Sequence, residues 1–147
     1  LCLYSINLFS AILYVRSPDA IRPWQHVLDP LSGYIKLAEM LVSSKNKFDQ
    51  AWNFGPKQSG AKSVSWVLNK FSNKFDGTKW KIEKTKKYHE ANLLKLDISK
   101  AKLKLGWVPR WSIETAVHYT IEWHKAYKEK KNMEKFSADQ ITLFENS

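Results

Sequence analysis

A chain of 147 residues that is 44% apolar, 14% aromatic and 26% charged, with only 5 Gly and 5 Pro, carries enough apolar material for a core, which excludes disorder, collagen and low complexity. A single cysteine, Cys2, excludes an internal disulfide framework and a thiolate zinc site and suggests a reducing compartment. The 24 basic residues exceed the 14 acidic ones, leaving +10, an excess that invites anionic partners: nucleic acid, a membrane surface or a phosphorylated small molecule.

Residues 1–15 are almost wholly apolar. They are too few for a membrane-spanning helix of about 20 apolar residues, and they lack the basic start and small-residue cleavage site of a secretory signal. The expectation is a chain that starts inside a domain, its first segment shaped to pack on something outside it. Ile12, Leu13, Tyr14 and Val15 read as a buried strand ended by Ser17, Pro18 and Asp19. Residues 22–28 read as short and extended, with Pro23 limiting how they enter a sheet. Asp29 as N-cap and Pro30 as first helical residue then predict a helix, with Leu31, Tyr34, Ile35, Ala38, Leu41 and Val42 as its apolar stripe.

After a polar turn over 45–49, Ala51, Trp52, Asn53 and Phe54 form a strand candidate closed by Gly55 and Pro56. Ser63 caps a helix with the stripe Val64, Val67, Leu68, Phe71 and Phe75, ended by Asp76 and Gly77. Residues 80–83 alternate as a strand, and 84–87 form a solvated charge run. Asp97 opens a short helix through Leu105, with Gly106 as its left-handed cap. Ser112 caps the last strong helix, whose stripe is Ile113, Ala116, Val117, Thr120, Ile121 and His124. Residues 128–147 form a polar tail with a weak helical patch over 133–144. About three short strands with four or more helices is an α/β arrangement whose sheet is incomplete.

Several motifs are near misses. Residues 55–63 mimic a phosphate-cradling loop, but Ala61 stands between Gly60 and Lys62, and Pro56 deletes a loop N–H. Tyr127 and Lys131 fit a Y-x-x-x-K dehydrogenase pattern, yet no two glycines are spaced G-x-G as a nicotinamide site would need. His26, His89, His118 and His124 lack metal-ligand spacing. The 7 Trp among many Lys permit nucleic-acid stacking, but solvated faces and core aromatics account for them better.

What stands out is Arg22, Trp24 and His26 within five residues of extended chain. Alternation puts these three on one side. A guanidinium is the natural fork for a diphosphate, and the alternative is an Arg paired with a nearby carboxylate. His89 and Glu90 form a second polar pair.

The run from Arg16 to Tyr34, centred on Arg22, Pro23, Trp24, Gln25, His26 and Val27, resembles the C-terminal half of the CDP-glucose 4,6-dehydratases, within the extended short-chain dehydrogenase/reductase family. Asn53, Phe54, Gly55 and Pro56 resemble the strand-end that follows there. His89, Glu90 and Ala91, then residues 94–101, then Leu105, Gly106, Trp107, Val108 and Pro109, resemble its late segment. The Leu-Gly-Trp-x-Pro block is common to many sugar-nucleotide enzymes, whereas the run around Trp24 is narrower.

The resemblance implies the C-terminal part of a modified Rossmann fold: residues 1–147 as a substrate lobe plus the edge of an NAD-binding domain, with 128–147 as a tail. It implies a cytoplasmic NAD-dependent lyase of deoxysugar biosynthesis that turns CDP-glucose into CDP-4-keto-6-deoxyglucose and water, homo-oligomeric when intact, with no nucleic-acid or membrane partner. Arg22 matches the family's diphosphate contact, and Trp24, His26, His89 and Glu90 fall where the substrate lining is expected. The family's Gly-rich NAD turn, Tyr/Lys pair and elimination carboxylates precede the region covered. No catalytic residue is therefore expected here, cofactor-binding residues are left unassigned, and neither activity nor NAD binding is expected of this piece alone. The alternatives are an enzyme of another sugar nucleotide and a non-catalytic basic nucleic-acid-binding module.

Overall fold

The computed structural model describes residues 12–44, 47–75, 79–83 and 91–147. They form four strands, β1 (Ile12–Val15), β2 (Ile21–Pro23), β3 (Ala61–Ser63) and β4 (Lys79–Ile82), and four helices, α1 (Leu28–Ser43), α2 (Val64–Ser72), α3 (Ile113–Lys128) and α4 (Met133–Glu145). The chain divides into two compact units, residues 1–22 with 62–94 and residues 23–61 with 95–147.

In the first unit β1 pairs in parallel with β4, Ile12 opposite Lys79 through Val15 opposite Ile82. The β1 expectation holds in extent but not in burial, since Tyr14 is 64% exposed. Val and Ile favour a strand by backbone sterics alone, and burial needs a neighbour on each face. Ser63 caps α2 as expected, its hydroxyl accepting from Trp66 N–H at 3.1 Å. The first turn's other donors reach back into the chain, Val64 N–H to Ala20 C=O and Ser65 N–H to Pro18 C=O. The α2 stripe turns inward, with Val67 and Phe75 buried and the Phe71 and Phe75 rings 6.2 Å apart. The expected stop at Asp76 and Gly77, the 84–87 charge run and residues 1–11 lie outside the described residues.

In the second unit the helix predicted to have Asp29 as cap and Pro30 as first residue begins two residues earlier, at Leu28, with Val27 already in helical geometry at the cap position and no side chain capping it, so Asp29 lies inside the first turn. Its buried face also differs from the expected stripe. Leu31, Tyr34, Ile35, Leu41 and Val42 are exposed, Val42 by 86%. The core instead receives Gly33, Leu37 and Met40 against Phe48, Phe54, Ala101, Leu105 and Trp107. Gly33 sets this rotation, because a Cβ there would run into the Phe54 ring. Gly33→Ala therefore tests the packing. In an open helix the change would stabilise by about 0.5–1 kcal/mol, but overpacking costs about 1–3 kcal/mol. A net loss of denaturation free energy is expected, and a gain would refute the close approach.

Residues 51–54 are extended but join no ladder, contrary to expectation. Their carbonyls are met by side chains instead: Lys100 Nζ donates to Ala51 C=O at 2.8 Å and Gln25 Nε2 to Phe54 C=O at 2.8 Å. Where a helix from Asp97 to Leu105 was expected, a π-helical turn spans Ala101–Leu105. Asp97 does open this segment, its carboxylate accepting from Ser99 N–H at 2.8 Å, and Gly106 closes it at φ +62°. Ser112 caps α3, accepting from Thr115 N–H at 3.1 Å, and Ile113, Ala116, Val117 and Ile121 are buried. The helical patch expected over 133–144 of the polar tail is helix α4, capped by Asn132 and anchored by Phe144, 4% exposed. Trp123 Nε1 donates to Ser137 Oγ, Gln140 Nε2 to Tyr119 C=O, and Arg110 Nη1 to the terminal carbonyls of Phe144, Glu145 and Ser147. Arginine thereby satisfies the acceptors that a helix C-terminus leaves open.

Candidate functional site

Two motif expectations resolve at once. Residues 55–63 do not form a phosphate cradle: Gln58–Gly60 is a 3-10 turn, with Gly60 N–H on Lys57 C=O at 2.8 Å, and Ala61–Ser63 is strand β3. Lys131 does not sit one helical turn beyond Tyr127, because α3 ends at Lys128 and Lys130 adopts φ +56°. Lys131 pairs with Glu129 at 2.7 Å instead. Among the described residues no cluster of His, Cys, Asp and Glu could hold a metal, and no helix is long and apolar enough to cross a membrane.

Arg22 lies at the centre of β2, half-buried. Its Nη1 donates to Ile21 C=O at 3.0 Å and to Ala91 C=O at 2.8 Å. Ile21 itself pairs with the segment after Ala91, its N–H on Asn92 C=O at 2.8 Å and its C=O taking Leu94 N–H at 3.1 Å. His89 and Glu90 lie outside the described residues. The chain thus brings Arg22, by sixty-nine positions of sequence separation, to the residue that follows that pair.

Trp24 and His26 belong to the second unit, and the alternation expected to align them with Arg22 stops at Pro23, the last strand residue. Trp24 is half-buried, its N–H on Gly60 C=O at 3.2 Å. His26 is 5% exposed, its ring 4.7 Å from that of Trp111. Nδ1 of His26 accepts from Leu28 N–H at 3.3 Å and its C=O from Asp29 N–H at 3.1 Å, so the residue fastens the start of α1. Burial pulls its pKa down to about 4, which keeps the imidazole neutral and Nδ1 an acceptor.

Asp29, fully buried, accepts from Arg110 N–H at 2.7 Å through Oδ1. Burial pushes its carboxyl above the ordinary value, against the opposing pull of the Arg110 and Trp111 backbone and of the Lys57 and Arg110 charges. Sequence reading placed Asp29 as a cap because its partner stands eighty-one positions away, where no local pattern reaches.

A cavity of about 560 Å³ also opens in the second unit, walled by Pro23, Pro56, Leu96 and Ile98, with Lys57, Lys95 and Lys102 among its lining. Sequence analysis did not single it out. The signal available was the density of lysine in 95–104, which reads equally well as a solvated face.

No family model matches the chain. It is 45% identical over 114 residues, 77% of its length, to a CDP-glucose 4,6-dehydratase of Salmonella typhimurium (strain LT2), of which it spans 32%. The resemblance drawn from the run around Trp24 is thereby borne out. Among solved structures it is similar to the UDP-glucose-4-epimerase of Stenotrophomonas maltophila with bound NAD and formylated UDP-arabinopyranose. The TM-score is 0.63 at 19% identity, over 81% of this chain and 36% of that one. The match is to the C-terminal part of that Rossmann-like epimerase, so the expected α/β class holds.

Proposed function

We propose that this chain is the substrate-side part of a nucleotide-sugar dehydratase that acts on CDP-glucose, with Arg22 as its diphosphate clamp. The 45% identity over 114 residues carries the reading. Support comes from the way Arg22 is held: two backbone carbonyls orient the guanidinium, as a fork that must meet a diphosphate in one geometry requires. By the same likeness Trp24 is proposed to offer its indole to the sugar or base, and His89 and Glu90 to take part in substrate binding.

His26 contributes by fixing the chain between Trp24 and α1. The intact enzyme would draw its hydride-carrier chemistry from NAD. This chain's glycines, at 33, 55, 60, 77 and 106, offer no G-x-G turn for it, so no step is assigned to these residues. By the same likeness residues 1–147 are proposed to form a substrate lobe with the edge of an NAD-binding domain, the chain spanning 32% of the dehydratase it matches.

Calorimetric titration of the chain with CDP-, UDP-, GDP- and dTDP-glucose tests this. CDP-glucose is expected to bind tightest. Arg22→Ala should weaken it about 10- to 30-fold, roughly 1.4–2 kcal/mol, with Arg22→Lys intermediate. Equal affinity for all four would favour another sugar nucleotide. Binding to single-stranded DNA with a steep salt slope would favour the nucleic-acid alternative.

A further inference from the structure

We infer that the cavity of the second unit is a binding site for a phosphorylated small molecule, held by the ammonium groups of Lys57, Lys95 and Lys102. Its volume, about 560 Å³, falls in the range of small-molecule sites and far exceeds a bare phosphate. Part of the lining is apolar, Pro23, Pro56, Ala61, Leu96 and Ile98, which suits the carbon part of such a ligand.

The charge is one-sided. Three lysines line the space against a single carboxylate, Asp97, which is already occupied by Ser99 N–H at 2.8 Å and held below its ordinary pKa by Ser99. Among the described residues none of the three lysines makes an ion pair. Lys100, between them in sequence, is tied down instead, on Ala51 C=O and 4.4 Å from the Trp52 ring centre. Gathering three like charges round a concavity is unfavourable by itself, and an anion relieves it.

The walls are also fixed in place. Asn53 Nδ2 donates to Asp97 C=O at 3.2 Å, and Gly55 lies so close to Leu96 that a Cβ there would come within 2.9 Å of it. Gly60 likewise leaves no room for a Cβ against Pro56. The inference stands apart from the reading of Arg22, which does not line this cavity.

The test is calorimetric titration of the chain with ADP, a diphosphate whose base is not cytosine, at low salt. The lining triple variant Lys57→Met, Lys95→Met, Lys102→Met keeps the aliphatic stems. A charge-matched control carries Lys79→Met, Lys81→Met and Lys135→Met. Binding is expected to weaken at least tenfold in the lining variant and to stay within twofold in the control. Absence of binding, or an equal loss in both triple variants, would overturn the site. A second readout needs no variant: ADP should protect Lys57, Lys95 and Lys102 from amine acylation in the unmodified chain and leave Lys47 and Lys135 reactive. Uniform reactivity would overturn it too.

Discussion

Replacing Trp107 with alanine is expected to lower the stability of the second unit by about 3–5 kcal/mol, the cost of emptying an indole-sized space in a packed core. Trp107 is 4% exposed and meets the Phe54 ring edge-on at 5.0 Å, inside the cluster of Phe48, Ala101 and Leu105. Its Nε1 donates to Ser32 Oγ at 3.0 Å, and the same hydroxyl donates to Asp29 C=O at 2.7 Å, so the indole ties α1 to the turn after the π-helical segment. Such a loss is a large share of the roughly 5–15 kcal/mol that holds a domain together. Trp107→Phe keeps a ring against Phe54 and forfeits the donor, so its cost should be smaller, about 1–2 kcal/mol. Amide-exchange protection over α1 and α3 measures both. If the alanine variant lost less than about 1 kcal/mol, far below a core truncation, this cluster would not be the core.

Acidification from pH 6.5 to about 4 should cost the same unit about 3 kcal/mol through His26 alone. The folded pKa of about 4 lies below the ordinary 6.5, so the unfolded chain binds the extra proton in that window. His26 therefore contributes its full share above pH 6.5 and loses it as pH falls. The chemistry agrees, since protonated Nδ1 can no longer accept from Leu28 N–H. His124, lowered by burial, adds to the loss. Asp29, raised by burial, acts with opposite sign, favouring the fold where it is protonated. His26→Asn retains an acceptor and does not titrate. Urea denaturation at pH 7.5 and 4.5 should show a pH dependence in the wild type that is much reduced in the variant. Identical slopes would show that His26 is not the buried group responsible.

The sequence by itself determined what is local. Ser63, Ser112 and Gly106 punctuate helical segments where expected because each acts on backbone within a few residues of itself. The α2 and α3 stripes were legible for the same reason, and the run around Trp24 was distinctive enough to carry the family resemblance. The tertiary structure alone decided which face of α1 is buried. Apolar spacing marks a stripe, whereas contact with Phe54 at Gly33 selects a different one. It decided that residues 51–54 spend their carbonyls on side chains, that Asp29 serves Arg110, that the expected helix over 133–144 is bonded to α3, and that Arg22 meets Ala91. Each of these is a bond between groups far apart in the chain. Periodicity and capping sense only neighbours within a turn or two, so partners separated by fourteen to eighty-one positions become known only once the chain has closed on itself.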